Sequence, residues 1–134
     1  MNSELICAFA SDDRESFMTR HFGDADIYII YSISNENVRI IDEITNNVDE
    51  EENHADPKKA KSIAKILKSA DVQVCVSPVF GPNIKRIKKK FVCIIMNETK
   101  IKRAVSIIQD HFDDIYDQWN RGKDRDIMHM GGDK

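Results

Sequence analysis

The sequence predicts a single mixed-sheet α/β domain, and three observations predict it. Short apolar runs (LICAFA at 5–10, VQVCV at 72–76, FVCIIM at 91–96) suit strands buried on both faces. Two β-branched and aromatic segments, 26–33 and 38–45, flank the polar turn SNEN and read as an antiparallel hairpin. Amphipathic helical segments separate the later runs. The resulting order, β-β-β-α-β-α-β-α, makes the later strands parallel through helical crossovers and lays helices on the sheet faces. About five strands and about three helices are expected.

The elements follow in order. After the first strand, residues 11–25 are polar and long for a connection, a length that marks functional or partly helical loops. In the hairpin, Val38 and Ile40 fall on one face and Arg39 and Ile41 on the other. Residues 46–55 form an acidic loop that includes Asp49 to Glu52. Asp56-Pro57 then opens a helix, with Asp as N-cap and Pro at the first helical position. Ala60, Ile63, Ala64 and Leu67 make its apolar face, and lysines fill the other. The loop SPVFGP leads from the 72–76 strand into a short helix over Asn83 to Lys90. Its basic end complements the helix dipole. From a Thr99 N-cap, apolar residues Ile101 through Trp119 recur at three- and four-residue steps, giving about 20 residues of helix, roughly 30 Å. Residues 1–119 are thus read as one domain and 120–134 as a flexible tail.

Bulk properties narrow the function. A chain of 134 residues, 41% hydrophobic and 32% charged, folds without staples. A net charge of −3 argues against bulk attraction to nucleic acid or membrane. With no membrane-length apolar run and no basic n-region, a cytoplasmic protein is expected. Cys7, Cys75 and Cys93 each sit in an apolar run without C-x-x-C spacing. They are read as reduced core thiols rather than as a thiolate cluster.

His21 leads the candidates for chemistry. It ends the polar loop as His21-Phe22-Gly23, where an imidazole suits a borderline metal and glycine admits a bulky ligand. His54 precedes a helix N-terminus, a place that favours anions; the alternative is a solvated loop histidine. The Ser77–Asn83 loop, with Gly81 and Pro82, precedes another N-terminus. The carboxyl-end rule for open sheets places that loop and the Ser11–Asp13 loop on one rim. The basic run Lys85 to Lys90 reads as a solvated helix face, with a docking patch as the alternative, and Met128-His129-Met130 as part of the tail. Asp12, Asp13, Asp24 and Asp26 fall in loop or at strand edges, whereas two-metal nuclease chemistry needs carboxylates held on a sheet. No P-loop, serine triad or cysteine nucleophile signature is legible, so no catalysis is expected.

The pieces also carry a family resemblance. LICAFASDD, then His21-Phe22-Gly23 followed by ADIYIIYSI, His54 before the IAKIL helix, VQVCVSPVFGP, and FVCIIM followed by a helix stand in a known order. Over roughly residues 4–115 the chain resembles the nitrogenase accessory family that binds the iron–molybdenum cofactor or its precursors. Ser77 departs from it, since such proteins often carry glycine just after that strand. The resemblance implies a ribonuclease H-like fold and a non-catalytic carrier of an iron-molybdenum-type cofactor, iron–sulfur cluster or precursor. It implies cofactor binding through His21, Phe22, Gly23, His54, Ser77, Gly81 and Pro82, with His21 and His54 as metal ligands. The implied partner is a metallocluster donor or acceptor protein, with neither nucleic acid nor membrane, the carrier being a monomer or weak homodimer. The alternative is a regulatory or interaction module of the same fold without a cluster.

Overall fold

The first apolar run becomes the centre of the sheet. The computed structural model describes residues 3–46 and 57–132. Leu5–Ser11 (β1) is buried at every position. It alternates Leu5, Cys7 and Phe9 toward one face and Ile6, Ala8 and Ala10 toward the other. Ile27–Ile33 (β2) pairs antiparallel with β1, and Val38–Thr45 (β3) pairs antiparallel with β2 through the Ser34–Asn37 turn. After the helix Pro57–Ser69 (α1), Val74–Ser77 (β4) runs parallel to β1 on its other side. The short helix Ile84–Ile87 (α2) leads to Val92–Asn97 (β5), parallel to β4. The strand order is β3-β2-β1-β4-β5, continued by a sixth strand described below.

Helices cover both faces. Ile63, Ala64 and Leu67 of α1 and Ile87 of α2 pack on Ala8, Ala10, Tyr28, Ile30, Cys75 and Cys93. Ile101–Asp110 (α3) and Phe112–Asn120 (α4) cover the other face, with Ile101, Ala104, Val105, Ile108 and Ile115 against Phe9, Ile29, Val76, Ile94 and Met96. The expected mixed-sheet α/β fold therefore holds. No helix among the described residues is long and apolar enough to cross a membrane.

Two details differ from expectation. The long last helix is two helices, because His111 leaves helical geometry (φ −111°, ψ 24°). Its Nδ1 sits 2.9 Å from the Ile107 carbonyl, and its N–H is shared between the Ile107 and Ile108 carbonyls. The N-cap of α3 is Lys100, in extended conformation, rather than Thr99.

The segment expected to be a flexible tail instead carries a sixth strand, Met128–Gly131 (β6), parallel to β5, so the sheet has six strands rather than five. Met128 and Met130 face the α3/α4 core while His129 is exposed, a pattern too short to read as periodicity. Arg125 makes the attachment and is only 5% exposed. Its guanidinium donates to the carbonyls of Lys89 (3.1 Å) and Trp119 (2.9 Å) and lies 4.6 Å over the Trp119 ring. Lys88 Nζ returns a bond to the Arg125 carbonyl (2.8 Å). The basic run is thus divided: Lys88 is half-buried and bonded, while Lys85, Arg86, Lys89 and Lys90 are exposed.

The three cysteines are free and buried in the core. Burial pushes all three thiols up, Cys93 to about 12, so the thiolate that metal binding needs is disfavoured in each.

Candidate functional site

The strand order reverses between β1 and β4, because the chain moves outward from β1 to β3 on one side and from β4 to β6 on the other. Ligands of open α/β sheets bind at such a point, beyond the strands' carboxyl ends. The loop after β1 and the loop after β4 meet there, as the sequence predicts, and the structure brings His21 to the same place.

His21 caps a 3-10 turn, Phe22–Asp24, with extended backbone (φ −65°, ψ 150°). The Asp24 N–H closes the turn on the His21 carbonyl (2.8 Å). The Phe22 N–H crosses to the Val79 carbonyl (2.8 Å), joining this turn to the β4 loop. Phe22 is fully buried, stacked on Phe80 (5.1 Å, 20°) and tilted against Tyr28 (5.0 Å). The Tyr28 hydroxyl donates to the Phe22 carbonyl (2.8 Å). Burial, with lesser repulsion from Cys75 and Asp24, pushes this phenol well above its usual range, so it remains a donor.

This anchoring places the half-buried His21 imidazole against Gly81. A β-carbon there would stand 2.5 Å from Nδ1, 2.7 Å from Cγ and 2.8 Å from Cε1. Gly81 also has φ +79°, so both its backbone conformation and its contact require glycine. The ring therefore turns its Nδ1 side to the loop, with Nε2 on the far side from Gly81.

The other expected site residues divide. Gly23 packs on α1, where an added β-carbon would meet Ile63 Cδ1 at 3.1 Å. Its small size serves helix packing. Phe22 is buried as support for the turn. Ser77 is fully buried, and its hydroxyl donates to the Val79 carbonyl (3.0 Å), so the loop accommodates a serine just after the strand. Pro82 is exposed on the rim. The helix after this loop has only four residues, and its N-cap Asn83 accepts from Arg86 (3.0 Å). Little helix dipole is available there. His54, Asp56 and the acidic run Asp49 to Glu52 lie outside the described residues.

The aspartates of the first loop hold backbone. Asp13 accepts from the N–H groups of Ser16 (2.8 Å) and Glu15 (2.9 Å), which lower its carboxyl below the usual value. Asp12 accepts from Arg20 (2.9 Å) and from the Asp26 N–H (3.0 Å), and Arg20 also reaches the Asp24 carbonyl (3.0 Å). Arg14, in left-handed backbone (φ 74°), makes a bidentate pair with Glu43 of β3. Among the described residues, no group of three or more His, Cys, Asp or Glu could hold a metal ion.

The sequence reading misses three supports of the turn. Tyr28 bears a polar tip inside an apolar strand, a signal that invites a search for its partner. Asn46 Nδ2 donates to the Gly23 (3.0 Å) and Ala25 (2.8 Å) carbonyls, and nothing local in the sequence announces it. Arg20 is visible beside His21, but its partners are not. Beyond the β4 loop, a cleft of about 500 Å³ lies between Met18, Pro78, Asn97 and Arg103.

No curated protein matches the chain. The family model described as dinitrogenase iron-molybdenum cofactor matches residues 3–111, from β1 through α3, with α4 and β6 beyond it. That span covers most of the 134 residues and contains every element of the His21 rim, and the chain therefore belongs to the dinitrogenase iron-molybdenum cofactor family.

Proposed function

We propose that this protein is a non-catalytic cytoplasmic carrier. Its cargo is an iron-molybdenum-type cofactor, an iron–sulfur cluster or a precursor of one, received from a donor protein and released to an acceptor. The observation that carries this reading is the His21 imidazole, held at the β1/β4 rim against Gly81 and braced through Phe22 from both sides. A neutral imidazole ligates iron without demanding a closed cage. A cluster already ligated by its own sulfides needs only a tether, and one exchangeable tether permits transfer. Lys85 and Arg86, exposed just after the β4 loop, put positive charge beside the rim for an anionic cargo. Gly81 and Pro82 form the floor next to His21, and His54 is the second ligand in this reading.

The test is anaerobic loading with isolated iron–molybdenum cofactor, or with iron and sulfide, followed by desalting, absorption spectra and metal analysis. Wild type is expected to keep stoichiometric metal, His21→Ala to lose most of it, and His54→Ala to keep a weakened share. Circular dichroism of the unloaded proteins checks that each variant folds. Metal retained equally by wild type and His21→Ala sinks the assignment of His21. Failure of wild type to keep any metal sinks the carrier and favours an interaction module without a cluster.

A further inference from the structure

Four large apolar side chains are well exposed among the described residues, and three of them, Val38, Ile40 and Ile41, stand on β3. Every β3 residue but Ile44 is exposed. Both helix layers pack over β2 and its neighbours, and only Ile44 of β3 joins either core. The inner side of β3 pairs with β2, and among the described residues its outer side is the edge of the sheet. A bare edge strand with apolar side chains is a template for another strand.

The hydrogen-bonding groups that face outward along that edge can be located. The Ser34 N–H donates to the Asn37 carbonyl at one end of the hairpin, and the Asn46 N–H donates to the Asp26 carbonyl at the other. Bonded and non-bonded pairs alternate along an antiparallel ladder. With the observed register, counting inward from both ends puts Val38, Ile40, Glu43 and Thr45 at non-bonded positions. Their backbone C=O groups and the N–H groups of Val38, Ile40 and Thr45 point out from the sheet, whereas the Glu43 N–H already donates to Asp42 Oδ1 (2.8 Å) and has to exchange that bond in order to pair. Ile41 is the extra residue of a bulge opposite Ile30 and Tyr31, which shifts the alternation by one.

We propose that β3 is a homodimer interface, along which two copies of this chain pair antiparallel into one continuous sheet. The outward set maps onto itself about an axis between Ile41 and Asp42. Val38 then faces Thr45 of the second copy, and Ile40 faces its Glu43. All four side chains lie on the α3/α4 face, since their β2 partners Ile33, Tyr31, Ile29 and Ile27 do. On the opposite face Arg39 falls diagonal to Asp42 of the second copy, a cation against an anion, and the same pair repeats across the axis. This complementarity selects a second copy over a strand of unrelated charge. The bulge and the Arg14–Glu43 pair twist and charge the edge, which disfavours its pairing with a flat strand of arbitrary sequence. Because the two copies use the same edge, the contact closes as a dimer. An eight-residue strand makes a small interface, so the dimer is reversible, with Kd on the order of 10–100 µM.

Sedimentation velocity of the full unloaded chain over a wide concentration range tests this. Wild type is expected to shift reversibly from monomer to dimer, and Ile40→Lys to dimerise at least about tenfold more weakly with an unchanged circular dichroism spectrum. Arg39→Asp and Asp42→Arg are each expected to weaken the dimer, and the double swap to restore it. Amide exchange is expected to slow with concentration at Val38, Ile40 and Thr45. A chain that stays monomeric throughout overturns the proposal and leaves the edge to a strand of another protein. Dimerisation untouched by Ile40→Lys, or concentration-dependent protection elsewhere, overturns it in favour of another face. A double swap that fails to restore pairing overturns the register.

Discussion

The two halves of the sheet are finished differently. In the parallel half, β1, β4 and β5 are covered by helices on both faces and β6 on one, and Arg125 fastens that outer strand. The antiparallel half shares both cores through β2, then ends in a β3 exposed along almost its whole length. The His21 turn lies at the seam and draws support from both halves. Val79 and Phe80 come from the parallel side, Tyr28 and Asn46 from the antiparallel side. Buried contacts and hydrogen bonds converge on this turn, and the exposed edge strand stands on the far side of β2 from β1.

Removing the aromatic plug between the halves should have the largest effect. Phe22→Ala empties a fully buried site between Phe80 and Tyr28 and should cost about 3–5 kcal/mol in urea denaturation. A cost below about 1 kcal/mol would mean that the turn does not join the halves. Arg125→Ala tests the parallel edge. It removes the bonds to the Lys89 and Trp119 carbonyls, and should cost about 2–3 kcal/mol. Arg125→Lys should recover little, because an ammonium lacks the fork that reaches both carbonyls while lying on Trp119. Faster amide exchange in β6 alone should accompany both changes, and unchanged exchange there would refute the attachment. Tyr28→Phe sharpens the seam with less disruption. It leaves the buried Phe22 carbonyl without its donor and should cost about 1–2 kcal/mol. It should also shift the His21 ring resonances, whereas a stability loss with those resonances unmoved would make Tyr28 a core residue only.

Legibility in the sequence follows the same division. The parallel half reads directly, because strands buried on both faces are solid apolar runs such as LICAFA and FVCIIM. The hairpin reads from alternation and turn residues, but its degree of burial does not. Val38 and Ile40 share one face of that alternation, yet both are exposed. His21 and the β4 loop are visible as candidates, and the carboxyl-end rule puts the Ser11–Asp13 loop and the β4 loop on one rim, but it does not bring His21 there. The contact of His21 with Gly81 is invisible, because 60 residues of chain separate two positions that the β1–β4 pairing brings together. Strand β6 fails for another reason: only Met128 and Met130 carry its pattern, and Arg125, which attaches it, looks like one more surface charge among several.

The smallest predicted effect concerns the loop after β1, where the aspartates hold backbone N–H groups. Asp13 is held below its usual value of 3.8, first by the Ser16 N–H and then by the Glu15 N–H. A carboxyl lowered by folding adds stability that is fully present above the unfolded value and is lost as pH falls through the lower folded one. Asp13→Asn keeps an acceptor oxygen for those N–H groups but carries no titrating charge. At neutral pH the variant should therefore melt slightly below wild type, and the gap should close as pH drops below 3.8. Glu43, lowered by its hydrogen bond and charge pairing with Arg14, still titrates in the variant, so an acid-sensitive limb remains. A gap that stays constant from neutral to acid pH would show that Asp13 acts by shape alone. A variant that loses metal loading at neutral pH while its melting barely moves would instead move Asp13 from bracing the rim to touching the cargo.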